Sequence, residues 1–273
     1  MSLIHYNFFS KFLRGNTDVN IVLPDLPQNA DPGTFYASGK KYPVLWLLHG
    51  GQGDYSDWVR KTNIERYAVE NDLIVVMPSA LNSSYSDWTH FGGGYLAHEY
   101  IMQELMPMVY AWFPVSQRRE DSFMAGLSMG GNGTWKFAMN YPEKFAACAM
   151  LSAPVPNFRA RYEAESESGK TSHISDLVEA YGGLDTLLSS KENTRGVAES
   201  LAQRGEIGKL PRLFAAVGED DHAFQGVLGG VEYFRSLGIP VELKTVPGYA
   251  HEWRFWEQAI RDSLVFFGFT VKE

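Results

Sequence analysis

Apolar positions in this chain gather in short runs, most of them continuous, at residues 19–23, 42–48, 73–77, 122–125, 146–151, 212–217 and 241–246. Runs of this length without polar alternation suit strands covered on both faces. Between them lie stretches with helical spacing, at 64–71, 95–113, 131–140, 225–237 and 252–267. The alternation predicts an α/β fold, a mainly parallel, doubly wound sheet with helices on both faces. Residues 154–210 break the rhythm, being polar and charged with helix-forming stretches but no strand run. They predict a helical insertion after one strand, at the carboxyl edge where open α/β sheets bind ligands, with a peripheral excursion as the alternative. The 273 residues are expected to form one domain carrying that lid-like insertion.

Within this pattern the stretch AGLSMGGNG (125–133) brackets Ser128 with Gly126 and Gly130. An apolar strand precedes it and a helix ending near Tyr141-Pro142 follows. G-x-S-x-G requires this strand–turn–helix context, in which the glycines let strand and helix approach and the turn lifts the serine hydroxyl above the sheet. A serine hydroxyl needs a base to take its proton, and the base needs a carboxylate to fix its tautomer. On folds that use this turn, acid and base follow the serine in the order Ser, acid, His, each after a later strand.

His173, His222 and His251 lie beyond Ser128. Only His251 follows the last predicted strand and opens the last helix, so it is the expected base, with His222 as a wall residue. The strand before it runs into Gly218-Glu219-Asp220-Asp221. Asp221 is the expected acid because it lies furthest along the turn, with Asp220 its rival and Glu219 behind both. For the oxyanion, Met129 follows the serine, and the buried strand ending in His49-Gly50-Gly51 offers Gly51 as the second backbone donor. The aromatic, glycine-flanked stretch 84–94 emerges on the same sheet edge, and its Trp88, His90 and Phe91 are candidate substrate-binding residues, unless they are tucked into the core.

Composition narrows the partners. The net charge of −8, with 24 scattered Lys and Arg, disfavours a nucleic-acid backbone, which demands a clustered basic face. The one cysteine, Cys148, sits in an apolar run and is expected to be buried. No apolar stretch approaches a membrane span, and the first residues lack a basic, then apolar, leader pattern, so a cytoplasmic protein with no membrane partner is expected. Gly169-Lys170-Thr171 has the ending of a phosphate loop, but Ala164 stands where that motif needs glycine; His98-Glu99 and His251-Glu252 lack the second histidine of a zinc helix.

LLHGGQGDYSDW (47–58), GGGYLAHEYIMQELMPMVYAWFP (92–114), AGLSMGG (125–131), VGEDD (217–221) and AHEWRFWEQAI (250–260) together resemble the putative-esterase group of α/β-hydrolases, which includes esterase D, S-formylglutathione hydrolases, tributyrin esterases and acetyl- or feruloyl-type esterases. The resemblance spans most of the chain. It implies a single-domain α/β-hydrolase fold and a serine carboxylesterase cleaving short-chain acyl esters, acetyl or butyryl, through a covalent acyl-enzyme. It implies Ser128, Asp221 and His251 as nucleophile, acid and base, Gly51 and Met129 as oxyanion donors, neither cofactor nor metal, a small-molecule ester as partner, and a dimer or tetramer. Alternatives are an acetyl-xylan or feruloyl esterase, an S-formylglutathione hydrolase, another reaction class on this fold, or an idle hydrolase fold serving as a binding module. Departures, Gly51 after His49-Gly50 and the GEDDHAF turn, leave specificity open, and LHGGQG in place of L-S-G-L-T-C makes S-formylglutathione a poorer fit.

Overall fold

The computed structural model describes residues 2–89, 93–169 and 173–272. Its strands in chain order are β1 (Ser2–Ser10), β2 (Gly15–Leu23), β3 (Val44–Leu48), β4 (Ile74–Pro78), β5 (Asp87–Trp88), β6 (Tyr95–Leu96), β7 (Ser122–Leu127), β8 (Ala147–Leu151), β9 (Arg212–Gly218) and β10 (Glu242–Val246). All but β5 and β6 form one sheet in the order β1-β2-β4-β3-β7-β8-β9-β10. The pairs β1–β2 and β2–β4 are antiparallel and the rest are parallel.

Each apolar run of the sequence falls in this sheet, and helices cover both faces. Trp135, Phe137, Leu105, Val109, Val231 and Phe234 pack on one side, and Trp58, Tyr67, Phe255, Ile260 and Phe267 on the other. Strands buried on both faces are continuous in sequence for that reason. Chain order reverses on either side of β3, with β4 on one flank and β7 on the other. Loops leaving the carboxyl ends of β3 and β7 therefore diverge, opening the crevice in which such sheets hold ligands.

Two elements differ from expectation. β1 carries no apolar run because it is an edge strand with alternating exposure, and its period of two is hidden among aromatics and polar residues. The helix expected over 95–113 is interrupted: β6 pairs with β5, a short helical turn covers Ala97–Glu99, a π-helix spans Tyr100–Leu105, and a regular helix resumes over Met106–Trp112. Pro107 lies in the first turn of that last piece, where a missing N–H is tolerated. Residues 154–210 contain the helices Phe158–Ser168, His173–Ala180, Leu184–Leu188 and Thr194–Gln203 and, among the described residues, no strand. Cys148 is buried in β8, and that burial pushes its thiol up. Among the described residues no helix is long and apolar enough to cross a membrane.

Candidate active site

β7 ends at Leu127, Ser128 follows with φ 50° and ψ −114°, and the helix Met129–Asn140 begins at once. A non-glycine residue held there costs on the order of 1–3 kcal/mol, so the surroundings must enforce it. They do so through close approach. A Cβ on Gly126 would lie 2.4 Å from the Gly130 carbonyl, and one on Gly130 would lie 2.5 Å from the His49 carbonyl oxygen. Strand, helix and the β3 loop thus touch backbone to backbone. The Ser128 N–H is tied to the Leu151 carbonyl at 2.7 Å, and Trp135 Nε1 donates to the Ala153 carbonyl, anchoring the helix to the next strand.

From Ser128 a chain of hydrogen bonds runs inward. Ser128 Oγ lies 3.0 Å from His251 Nε2, and His251 Nδ1 lies 2.9 and 3.0 Å from the two carboxylate oxygens of Asp221. An ionised carboxylate only accepts, so the proton sits on Nδ1 and leaves Nε2 free to accept from Ser128. Asp221 is buried, which alone would raise its carboxyl, but hydrogen bonds from His251, the Ala223 N–H and Ser152 outweigh burial and hold it below the usual carboxylate value. Asp220 is exposed and gives its N–H to the Tyr249 carbonyl, while the Glu219 N–H goes to Val246. These two bonds, with Gly218 packed against the Tyr249 carbonyl, bring the acid-bearing and histidine-bearing loops together.

The sequence did not single out Ser152 or Trp256. Ser152 follows β8 with φ 52°, bonds Asp221, and accepts from Trp256 Nε1 at 3.1 Å. The available signal was its place after a strand end, the same signal that marked Asp221. His49 is also better defined in space: Nδ1 donates to the Gly50 carbonyl at 2.6 Å and Nε2 accepts the Ala80 N–H at 2.9 Å. Burial lowers its pKa, so it is a neutral brace for the Gly50-Gly51 turn. Trp58 Nε1 on the Leu48 carbonyl, Tyr85 Oη on the His49 carbonyl and Asn82 Oδ1 on the Gln52 N–H complete that brace. Met129 is the first helical residue, so its N–H has no partner within the helix.

A cavity of about 580 Å³ opens on Ser128 and His251. His222 lines it and is exposed, its ring 4.4 Å from that of His251. Asp221, His222 and His251 offer ligand atoms within 4.8 Å of one another. Two of these residues are already joined by the His251–Asp221 hydrogen bond. Trp88 lines a different cavity of about 520 Å³, beside Gln52, Asn82 and His173. Its Nε1 donates to the Ser83 carbonyl, and it packs against apolar residues of the insertion. His90 and Phe91 lie outside the described residues.

Comparison with known proteins agrees with this architecture. The family model described as "Putative esterase" matches residues 10–267. An acetyl esterase of Caldicellulosiruptor saccharolyticus is 28% identical over 269 residues, covering 97% of both chains. Among solved structures, an S-formylglutathione hydrolase of Staphylococcus aureus superposes with a TM-score of 0.79 at 27% identity, over 97% of this chain and 98% of the other. A fluorophosphonate-binding serine hydrolase of the same organism superposes with a TM-score of 0.79 at 26% identity and the same coverage. The sheet and its flanking helices are those of the α/β-hydrolase fold.

Proposed function

The chain belongs to the putative esterase family, and on that premise we propose that it is a carboxylesterase whose nucleophile is Ser128. The observation that carries this assignment is the continuous Ser128–His251–Asp221 hydrogen-bond chain, which begins on a serine held at positive φ and facing a cavity. In the reaction Ser128 Oγ attacks the ester carbonyl carbon as its proton passes to His251 Nε2, and the carbonyl π electrons move onto oxygen. The Met129 and Gly51 N–H groups donate to that oxyanion. When the tetrahedral intermediate collapses, the bond to the alcohol oxygen breaks, and this oxygen takes the proton from His251. The acyl group stays on Ser128. Water then attacks the acyl carbon with His251 again accepting the proton, and the acid leaves as Ser128 recovers its own.

Asp221 keeps the His251 ring in the productive tautomer and balances the imidazolium that forms. Short acyl groups are the expected substrates, in keeping with the acetyl esterase relative. The insertion supplies part of the cavity wall through Asn157, Arg161 and Arg195. A single buried Cys148, which leaves no intrachain disulfide to form, suits a cytoplasmic enzyme.

The direct test is to mix the protein with p-nitrophenyl acetate and follow the first turnover. A burst of nitrophenol equal to the protein concentration, with an acetyl group recovered on the peptide containing Ser128, is the expected result. Label on another residue, or hydrolysis without any acyl-protein under acid quench, would overturn it.

A further inference from the structure

The protein is acidic overall, with a net charge of −8, yet among the described residues no Asp or Glu lines the cavity at Ser128. Its charged walls are Arg161 and Arg195, with Asn132 and Asn157 as further polar groups. Asp221, the acid nearest the reacting serine, is taken up by His251, the Ala223 N–H and Ser152. Among the described residues neither arginine forms an ion pair.

Arg161 is exposed. Arg195 spends one nitrogen on the Val155 carbonyl at 3.2 Å and lies 4.3 Å over the Tyr233 ring, while its Nε is buried with no hydrogen-bond partner. The acid one turn along the same helix, Glu199, accepts from Tyr233 Oη instead. Both arginines also sit where their helices disfavour a cation. Each lies in the N-terminal part of its helix, Phe158–Ser168 or Thr194–Gln203, and neither helix has an acid in its first turn. A cation at the positive end of a helix is destabilising unless something else in its surroundings answers it. Two such cations converge on one cavity.

From these positions, and resting on Ser128 as the nucleophile, we infer that Arg161 and Arg195 select esters whose alcohol half carries an anionic group, a carboxylate or a phosphate. The half of the substrate follows from geometry. The leaving oxygen must receive its proton from His251 Nε2, so the alcohol departs on the imidazole side, and that side is the cavity lined by His251, His222 and the two arginines. The acyl group and oxyanion lie toward the Gly51 turn, whose following residue, Gln52, lines the other cavity. A guanidinium presents paired donors that match a carboxylate, and the exposed Arg161 forms no ion pair among the described residues.

The test compares para-acetoxybenzoate with its methyl ester, which share the acetyl group and differ in charge on the alcohol half. A second pair, mono-p-nitrophenyl adipate and p-nitrophenyl hexanoate, puts the charge on the acyl half. The ratio of kcat/KM for charged over neutral ester in the first pair is expected to fall about tenfold from wild type to Arg161→Gln, the scale of one charge-assisted hydrogen bond. Arg161→Lys should lose less, Arg195→Gln should fall in the same direction, and added salt should compress the wild-type ratio. The ratio in the second pair should not follow Arg161. A first-pair ratio equal in wild type, Arg161→Gln and Arg195→Gln overturns the inference while leaving the esterase intact, as does a dependence confined to the acyl pair. Absence of hydrolysis of either neutral ester by the wild type instead removes the esterase reading on which the inference rests.

Discussion

Two buried charge networks meet the helix that begins after Ser128, and they differ in how they end. Lys136, on that helix, is 5% exposed and Glu192 is 1% exposed, their charged atoms 2.7 Å apart. Lys136 Nζ also donates to the carbonyls of Ser84 and Tyr85 and to Ser86 Oγ, and Glu192 accepts from Ser86 and Tyr181. Ser86 and Tyr85 are buried and Ser84 and Tyr181 half-buried, so the network closes on protein groups. The network ties the helix after Ser128 to the insertion, next to Ser84 and Tyr85, which stand at positive φ. Asp221 is buried just as deeply, at 4% exposure, but its chain through His251 ends on a hydroxyl that faces a cavity. Burial and pairing are common to both; what sets the second apart is its open end, on which the proposal for Ser128 rests.

The sharpest way to separate the two networks is to cut each at its terminus. Ser128→Ala should reduce ester hydrolysis by a factor on the order of 10⁵, because members of such a unit act together. Its urea midpoint should stay near wild type, since the side chain supports no core. Activity within threefold of wild type would assign the chemistry elsewhere. Asp221→Asn comes next, with a loss of about 10⁴ from the wrong histidine tautomer, while Asp220→Asn should stay within a fewfold. Reversal of that ranking in steady-state assays would make Asp220 the acid.

Lys136→Met should behave in the opposite manner. Leaving Glu192 buried without its cation costs about 3–5 kcal/mol of stability, read from urea denaturation. The surviving folded protein should still form the acyl-enzyme. A variant as stable as wild type would show that the closed network does not hold the insertion.

The smallest effect comes from histidines that are closed off as Lys136 is. His49 and His98 are buried, and burial lowers both pKa values; for His98, Lys191 and Lys136 add to the shift. The unfolded chain takes up these protons near the ordinary value of about 6.5, whereas the folded chain resists until a lower pH. The stability they confer is therefore complete above about 6.5 and is lost as pH falls toward the folded values, by at most about 1.4 kcal/mol per pH unit for each histidine. A urea midpoint unchanged between pH 7 and pH 5, about half a unit above and one and a half units below that ordinary value, would contradict it.

Legibility in the sequence followed the range of the interaction. Strands buried on both faces appeared as unbroken apolar runs, and the glycines around Ser128 appeared because backbone contacts exclude a Cβ; both constraints act through neighbours in sequence or through one residue's own volume. The order of Ser128, Asp221 and His251 was likewise readable, since each follows a strand end. The edge strand β1 was not, because alternating exposure over Ser2–Ser10 leaves no apolar run, and neither was the break at Tyr100–Leu105, where a π turn keeps helical spacing while changing the register.

The sequence by itself determined the sheet, its helical cover and the turn that carries Ser128, because hydrophobic periodicity and glycine placement are local properties. Only the tertiary structure decided which of two adjacent aspartates turns onto His251, that Ser152 and Trp256 stand behind it, and that Trp88 lines a cavity apart from Ser128. It also decided that Arg161 and Arg195, 34 positions apart in the chain and unremarkable among 24 basic residues, wall the same cavity. Those relations join residues from separate loops, and the spacing between loops is set by how the strands pair, which no single stretch of sequence encodes.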